Sequence, residues 1–270
     1  MSWSPAAGAA APAIIVAFVV AGLIALGITP VVRGVIHRRG MLDRPDERRF
    51  HRRPLPRGGG IAVVIAFVVV GGGLTFLNAG VTGIPGTPGV GALQVWGLFA
   101  GAIVAAVIGV IDDALDLRAR YQLIGQVVVA LIAVASGISV AFIGNPLPFG
   151  PNNFTLSASV GAAFTVVWIV GMTNSLNFID GLDGLSTGIA LIAAVTLGLT
   201  SLTTQVTALG EPFVALLCFA FAGALLGFLR WNFHPAVIFQ GTAGVMVLGY
   251  VLGVLAILGT AKIIVAMLVL

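Results

Sequence analysis

Charge is scarce in this chain: 8% of its 270 residues are Asp, Glu, Lys or Arg, against 59% hydrophobic. With a mean hydropathy of +1.14, it lacks the polar surface that a soluble domain of this length requires, which excludes a water-soluble globular protein. Cysteine is nearly absent. The one thiol, Cys218, cannot form an intrachain disulfide, and inside an apolar run it reads as a small core residue. Strict alternation of apolar and polar residues is also missing, which argues against a lipid-facing barrel. No internal repeat is visible, and no polar stretch is long enough for a separate soluble domain. The first apolar run has no basic residue before it. Its positive charge follows it, so it reads as a retained helix and not as a signal peptide.

What the chain does have is apolar runs long enough to cross a bilayer, which takes roughly 20 residues each. They predict crossings at about Ala11–Val32, Gly59–Leu77, Leu93–Ile111, Leu123–Phe142, Ser157–Met172, Leu185–Leu202, Pro212–Phe228 and Ala243–Leu258. The connections Asn78–Ala92 and Gly144–Phe154 are rich in Gly, Pro and Asn, as surface turns are. A last run, Ile263–Leu270, is too short to span and reads as a ninth helix cut at the terminus. The expected fold is all-α: a polytopic membrane bundle of eight complete helices plus that partial one, forming a single domain over residues 1–270.

Nine of the thirteen basic residues fall between Arg33 and Arg57. Lys and Arg are retained on the cytoplasmic side, so this loop predicts an N-terminus outside and a bacterial-type plasma-membrane protein. Alternating the eight crossings then places Asp112–Gln122, Thr173–Gly184 and Arg230–Gly241 on the cytoplasmic side as well. Eight of the nine acids (Asp43, Asp46, Glu47, Asp112, Asp113, Asp116, Asp180 and Asp183) come with them, and the external segments keep only Glu211 and Lys262. Charge beside hydrocarbon is costly unless paired, hydrated or bound to a cation, so this convergence predicts a functional site. Asp46 and Glu47, set among arginines, read as simple interface balance.

Three polar clusters carry the chemistry. In Ile111-Asp112-Asp113-Ala114-Leu115-Asp116, a continuing helix would set Asp112 and Asp116 on one face, with a repulsion of roughly 0.2–0.5 kcal/mol per pair. A divalent cation would relieve it, and Mg²⁺ favours one or two carboxylates with waters and phosphate oxygens. Neutralisation by Arg118 and Arg120 is an equal alternative. In Asn174-x-x-Asn177-x-x-Asp180-x-x-Asp183, four polar residues at three-residue spacing line one side of a helical turn, more than capping requires. Gly181 and Gly184 permit close backbone approach there. In Arg230-Trp231-Asn232 through Phe239, Trp231 and His234 read as belt and loop residues. Asn232 and Phe239 offer an amide and a stacking face for a heterocyclic base.

Together with Asp43-Arg44-Pro45 through His51 and Pro56-Arg57-Gly58-Gly59, these segments resemble the polyprenyl-phosphate N-acetylhexosamine-1-phosphate transferases (glycosyltransferase family 4), in order and spacing over nearly the whole chain. Pro56-Arg57-Gly58-Gly59 is more similar to the bacterial GlcNAc-1-phosphate branch than to the MurNAc-pentapeptide branch. The resemblance implies that a UDP-amino sugar donates sugar-1-phosphate to undecaprenyl phosphate with release of UMP. That is a first membrane step of cell-envelope polysaccharide synthesis, such as lipopolysaccharide or teichoic acid. Mg²⁺, or Mn²⁺ in its place, would be the cofactor. The resemblance assigns Asp112 or Asp113 to the acceptor phosphate and Asp113, Asp180 and Asn177 to the metal and diphosphate. Asp183, Asn232 and Phe239 would hold the uridine, and Asp43, Arg49, His51 and Arg57 would bind substrate, with the arginines neutralising its phosphates. It allows a homodimer and involves no nucleic acid.

Two departures stand out. Where the family continues Met-Gly-Asp after Ile238-Phe239, with the Asp a principal magnesium ligand, this chain has Gln240-Gly241-Thr242. The family's further helices and His-rich loop would lie beyond Leu270. The alternatives are a degenerate homologue that binds lipid phosphate or nucleotide sugar without turnover and, last, a transporter. The latter should carry its ionisable groups near the bilayer midplane and not at helix ends.

Overall fold

The computed structural model describes residues 5–43, 55–77, 90–144, 153–203 and 211–259. Within them the chain is a helical bundle: α1 (Pro5–Arg38), α2 (Gly60–Phe67) running through a π-helical turn (Val68–Gly72) into α3 (Gly73–Leu77), α4 (Ala92–Leu115), α5 (Ala119–Ala135), α6 (Ala158–Ile179), α7 (Leu185–Ser201), α8 (Pro212–Asn232) and α9 (Gly241–Leu258). Six helical segments are long and apolar enough to cross a membrane, whereas Ala119–Ala135 and Leu185–Ser201 are shorter apolar helices. Each expected crossing that ends at the polar clusters is a helix, and several run further than their apolar stretches. α4 continues past Ile111 to Leu115, α6 past Met172 to Ile179, and α8 past Phe228 to Asn232. The polar clusters therefore ride on the last turns of helices.

One boundary moves the other way. The crossing expected to reach Phe142 stops at Ala135, where Ser136 folds back onto the Ile132 and Ala133 carbonyls and Gly137 takes a left-handed φ of +81°. Phe142–Gly144 (β3) then pairs antiparallel with Asn153–Thr155 (β4). A second small ladder joins Leu42–Asp43 (β1) to Leu55–Pro56 (β2), so the chain leaving α1 returns directly to the start of α2. The expected Ile263–Leu270 helix lies outside the described residues, as do Asp46, Glu47, Arg49 and His51.

Helix α9 is the hub. All of it is buried, against about a fifth of the window in α1, and it touches α2, α4, α5, α6, α7 and α8. Small residues make this possible. A side chain on Gly60 would collide with the Gly244 backbone, and one on Gly109 with Ala243. Between these close approaches the polar groups of the hub are satisfied: Tyr250 Oη donates to Gly97 O at 2.9 Å and Trp168 Nε1 to Gly253 O at 3.1 Å. Close packing of small residues, with polar groups paired, is how helices associate where lipid is as apolar as leucine.

At the opposite flank, α1 lies along α8 through Ala17, Ala21 and Ala25, all fully buried. Gly223 and Gly227 of α8 face the Phe18 and Gly22 carbonyls of α1 with no room for a Cβ. Trp231 Nε1 donates to Leu26 O at 3.0 Å and closes this seam near the end that carries the polar clusters.

Candidate active site

The backbone at this end is stitched by residues far apart in sequence. Phe239 N donates to Pro56 O at 2.8 Å, while Gly58 N and Gly59 N both donate to Phe239 O, at 3.2 and 2.9 Å, and Gly60 N to Gln240 O at 3.1 Å. The start of α2 is thus zipped to the start of α9, and the side chain of Arg57 is carried into the junction. Its Nε lies 2.8 Å from Asp113 Oδ1 and its Nη2 donates to Thr242 Oγ1 at 3.1 Å.

Asp113 sits in the last turn of α4 with a fully buried side chain. Beyond Arg57 it accepts the Thr242 N–H on Oδ1 at 2.8 Å and the Ala243 N–H on Oδ2 at 3.1 Å. These are among the N–H groups of α9's first turn that no helical carbonyl can reach, so a carboxylate from another helix caps α9 and meets its positive end. Gly241 enters that turn at φ +72°, a conformation in which a Cβ would also strike Asp113 and the Gly58 nitrogen.

Asp112, its neighbour in sequence, points elsewhere. It is 2% exposed and takes the Gln122 Nε2 amide of α5 on both carboxylate oxygens at 3.0 Å. The expected pairing of Asp112 with Asp116 on one helical face does not occur, because α4 ends at Leu115 and Asp116 turns left-handed at φ 48°. Nor do Arg118 and Arg120 neutralise these acids among the described residues. The Arg120 guanidinium bonds and stacks on Tyr121.

Asp180 closes α6 and accepts a short hydrogen bond from Ser186 of α7. Burial pushes its carboxyl up to about 7, and the charge of Asp113 adds to the rise, while the Ser186 bond and the Arg57 charge pull it down. Asp113 and Asp180 therefore act on each other at one end of the bundle. Asn177, one turn before, is exposed. Asp183 accepts from the Ala236 N–H at 3.0 Å and pairs with His234 Nδ1 at 3.0 Å, so it ties the α6–α7 turn to the loop after α8. An open groove of about 630 Å³ borders His234, with Leu226, Leu229 and Phe233 as apolar wall and Arg230 at its rim.

Sequence reasoning missed three residues beneath this surface: Ser186, Thr187 and Gln240, all buried. The Gln240 amide lies against both hydroxyls, at 2.9 and 2.8 Å, while Ser186 also meets Asp180 and Thr187 also meets Asn232 Oδ1 at 2.8 Å. Each hydroxyl has one proton to give. The protons are all used when the amide is oriented so that Nε2, otherwise without a partner, donates to both hydroxyls. Ser186 then donates to Asp180 and Thr187 to Asn232. The Asn232 amide nitrogen in turn donates to Ile238 O at 3.1 Å, so both ends of Asn232 are engaged within the protein and the residue fixes the turn that leads to Phe239. Two adjacent hydroxyls in the first turn of an apolar helix were the available signal, since such groups face the bundle and not the lipid.

The structure thus brings together Arg57, Asp113 and Asp180, with Asp112 behind them and Asp183 and Asn232 bracing the adjoining loops. Phe239 contributes its backbone to the zipper and its ring is half-buried. Asp43 pairs by backbone with Leu55 in the β1–β2 ladder leading to Arg57. Among the described residues, no three His, Cys, Asp or Glu side chains gather in one place.

Comparison with known proteins matches residues 95–260 to the sequence model of glycosyl transferase family 4. A relative from Bacillus subtilis, a probable undecaprenyl-phosphate N-acetylglucosaminyl 1-phosphate transferase, is 36% identical over 92% of this chain and 64% of its own length. The decaprenyl-phosphate N-acetylglucosaminephosphotransferase of Mycobacterium tuberculosis is 33% identical over 86% of this chain and 57% of its own. The phospho-N-acetylmuramoyl-pentapeptide-transferase of Streptomyces avermitilis is 31% identical over 89% and 74%. The chain spans less than two thirds of the first two relatives.

Proposed function

Because the chain belongs to glycosyl transferase family 4, we propose that it transfers N-acetylglucosamine-1-phosphate from a UDP-sugar to a polyprenyl phosphate, releasing UMP, at the cytoplasmic face of a bacterial plasma membrane. The observation that carries this reading is the junction of Arg57, Asp113 and Asp180 at one end of an apolar bundle, where a lipid phosphate and a soluble nucleotide can both arrive. The orientation rests on α1, whose last turn holds His37 and Arg38 and whose exit strand leads to Arg57 at the same end.

In this reading an oxygen of the acceptor phosphate attacks the sugar-bearing phosphorus of the donor. The bond to the bridging oxygen breaks, and UMP leaves with that oxygen. Phosphoryl transfer gains most from positioning and charge stabilisation. Arg57 neutralises phosphate oxygens, with 28% of its side chain exposed and N–H groups left over after Asp113 and Thr242 are served. Asp113 acts as a positioning residue that aims the guanidinium and anchors α9, and Asp112 locks α4 to α5. Asp180 faces the same junction from α6. The Asp183–Ala236 bond sets the loop of residues 233–239 against the α6–α7 turn, where Phe239 and Asn177 border the nucleotide.

The test is transfer of radiolabel from UDP-GlcNAc to polyprenyl phosphate in membranes carrying the full protein. A chloroform-soluble product that disappears with Arg57→Gln supports the reading. The closed Arg57–Asp113–Thr242 network favours one second reading, a homologue that binds the nucleotide sugar or the lipid without turnover. Saturable UDP-GlcNAc binding with no lipid product would select it.

A further inference from the structure

The Arg57–Asp113–Thr242 triangle resembles a metal centre in plan but not in chemistry. Magnesium takes about six oxygens in near-octahedral array and draws them from carboxylates, waters and substrate phosphates. At this junction most of the carboxylate oxygens already accept hydrogen bonds from the chain itself. Asp113 Oδ1 receives Arg57 Nε and the Thr242 N–H, and Oδ2 receives the Ala243 N–H. Asp112 has both oxygens on Gln122, and Asp180 bonds Ser186. Thr242, standing where the resemblance implies a carboxylate, brings no charge, and its hydroxyl accepts from Arg57.

The cation that is present belongs to the chain. Arg57 is fixed from three directions: its backbone is bridged to Phe239, its Nε lies on Asp113, and its Nη2 on Thr242. A guanidinium held this way has lost its rotamer freedom before any ligand arrives, and its fork suits paired phosphate oxygens. Replacing an aspartate by threonine at 242 also removes the one group that would compete with a phosphate for Nη2 by charge.

We propose that Arg57 is the resident cation of this site: its guanidinium occupies the space between Asp113 and Thr242 that a protein-held divalent ion would need, so the described residues of this junction form no preformed magnesium site and meet an incoming diphosphate with a fixed guanidinium. This rests on the proposed transferase reading, in that a diphosphate is the group to be met. Thr242 is then a specificity residue, since a neutral hydroxyl there keeps Arg57 available.

The experiment is a Mn²⁺ titration of the full protein in detergent, read by the electron paramagnetic resonance of the free aquo-ion, beside calorimetry of inorganic pyrophosphate in EDTA. Wild type is expected to leave Mn²⁺ free at millimolar concentration and to bind pyrophosphate without metal. Arg57→Gln, which removes a charge-assisted contact, is expected to weaken pyrophosphate about 10- to 100-fold. Arg57→Gln/Thr242→Asp is expected to take up one Mn²⁺. Stoichiometric Mn²⁺ uptake by wild type, lost in Asp113→Asn, overturns the proposal without any need for Arg57 variants to fold. So does pyrophosphate binding that requires metal or ignores Arg57→Gln. A chain that makes the lipid product with protein-held Mn²⁺ sinks this inference alone, and one that excludes Mn²⁺ but makes no product sinks only the transferase reading.

Discussion

Replacing Asp113 by Asn should destabilise the fold far more than the same change at Asp116, three residues on. Asn keeps the shape of Asp113 but removes the charge facing a largely buried guanidinium, and it turns an amide NH₂ toward one of the two α9 N–H donors. Breaking a buried ion pair from one side costs about 3–5 kcal/mol. Because 28% of the Arg57 side chain reaches solvent, the lower end applies, about 3 kcal/mol, or an unfolding temperature lower by roughly 6–10 °C. The exposed Asp116 has a left-handed backbone at φ 48°, which Asn tolerates well, so Asp116→Asn should leave the midpoint within about 1 °C. The chain supplies its own reporter. Its sole cysteine, Cys218, is wholly buried in α8, so a thiol-reactive dye becomes fluorescent only as the bundle opens. If Asp113→Asn melts with wild type, the carboxylate does not anchor α9 and the account of the junction fails.

Three other perturbations probe different layers. The Asp180 carboxyl is raised from 3.8 to about 7 in the fold; between those values the unfolded chain has ionised while the folded one still holds its proton, so wild type loses stability as pH rises through this window and the cost is constant above it. The melting difference between Asp180→Asn and wild type should therefore widen from about pH 4 to pH 7, by up to about 4 kcal/mol; a difference independent of pH would refute the buried assignment. Thr187→Val should cost about 1–3 kcal/mol, because it strands the Asn232 and Gln240 amides in a buried space, whereas Thr196→Val, whose hydroxyl bonds only its own helix on an exposed face, should be near neutral in the same dye assay. Gly223→Val should separate α1 from α8, since any Cβ collides with the Phe18 carbonyl; protease access to the α1–α8 seam is the readout, and an unchanged digestion pattern would contradict the packing.

The apolar runs disclosed the helices, and the motif order disclosed the family, but neither disclosed where the helices stop. Hydropathy falls at Asp112 and Asn174, yet backbone hydrogen bonding continues for a further turn or two because side-chain polarity does not break a helix. Asp112 and Asp113 show the limit well. Adjacent helical residues point about 100° apart, so one faces Gln122 of α5 and the other faces α9, and nothing in the local sequence says which. The pairing of Arg57 with Asp113 and Thr242 joins residues far apart in the chain, beyond any periodicity argument. The central place of α9 was equally hidden. In a chain this apolar, burial against protein and exposure to lipid look alike, and Gly and Ala are as frequent in the outlying α1 as in α9.

That central place bears on how the molecule is assembled. A helix with no face left for lipid is the last long described span in chain order, so every described helix that lines its seat is synthesised before it. Until α9 arrives, Gly60, Gly101 and Gly109 and the hydroxyl of Thr173 border a vacant shaft, and the stretch that will cap onto Asp113 is still unborn. Among the described helices the junction of Arg57 with Asp113 and Thr242 can therefore form only once α9 is seated, like a plug entering a socket.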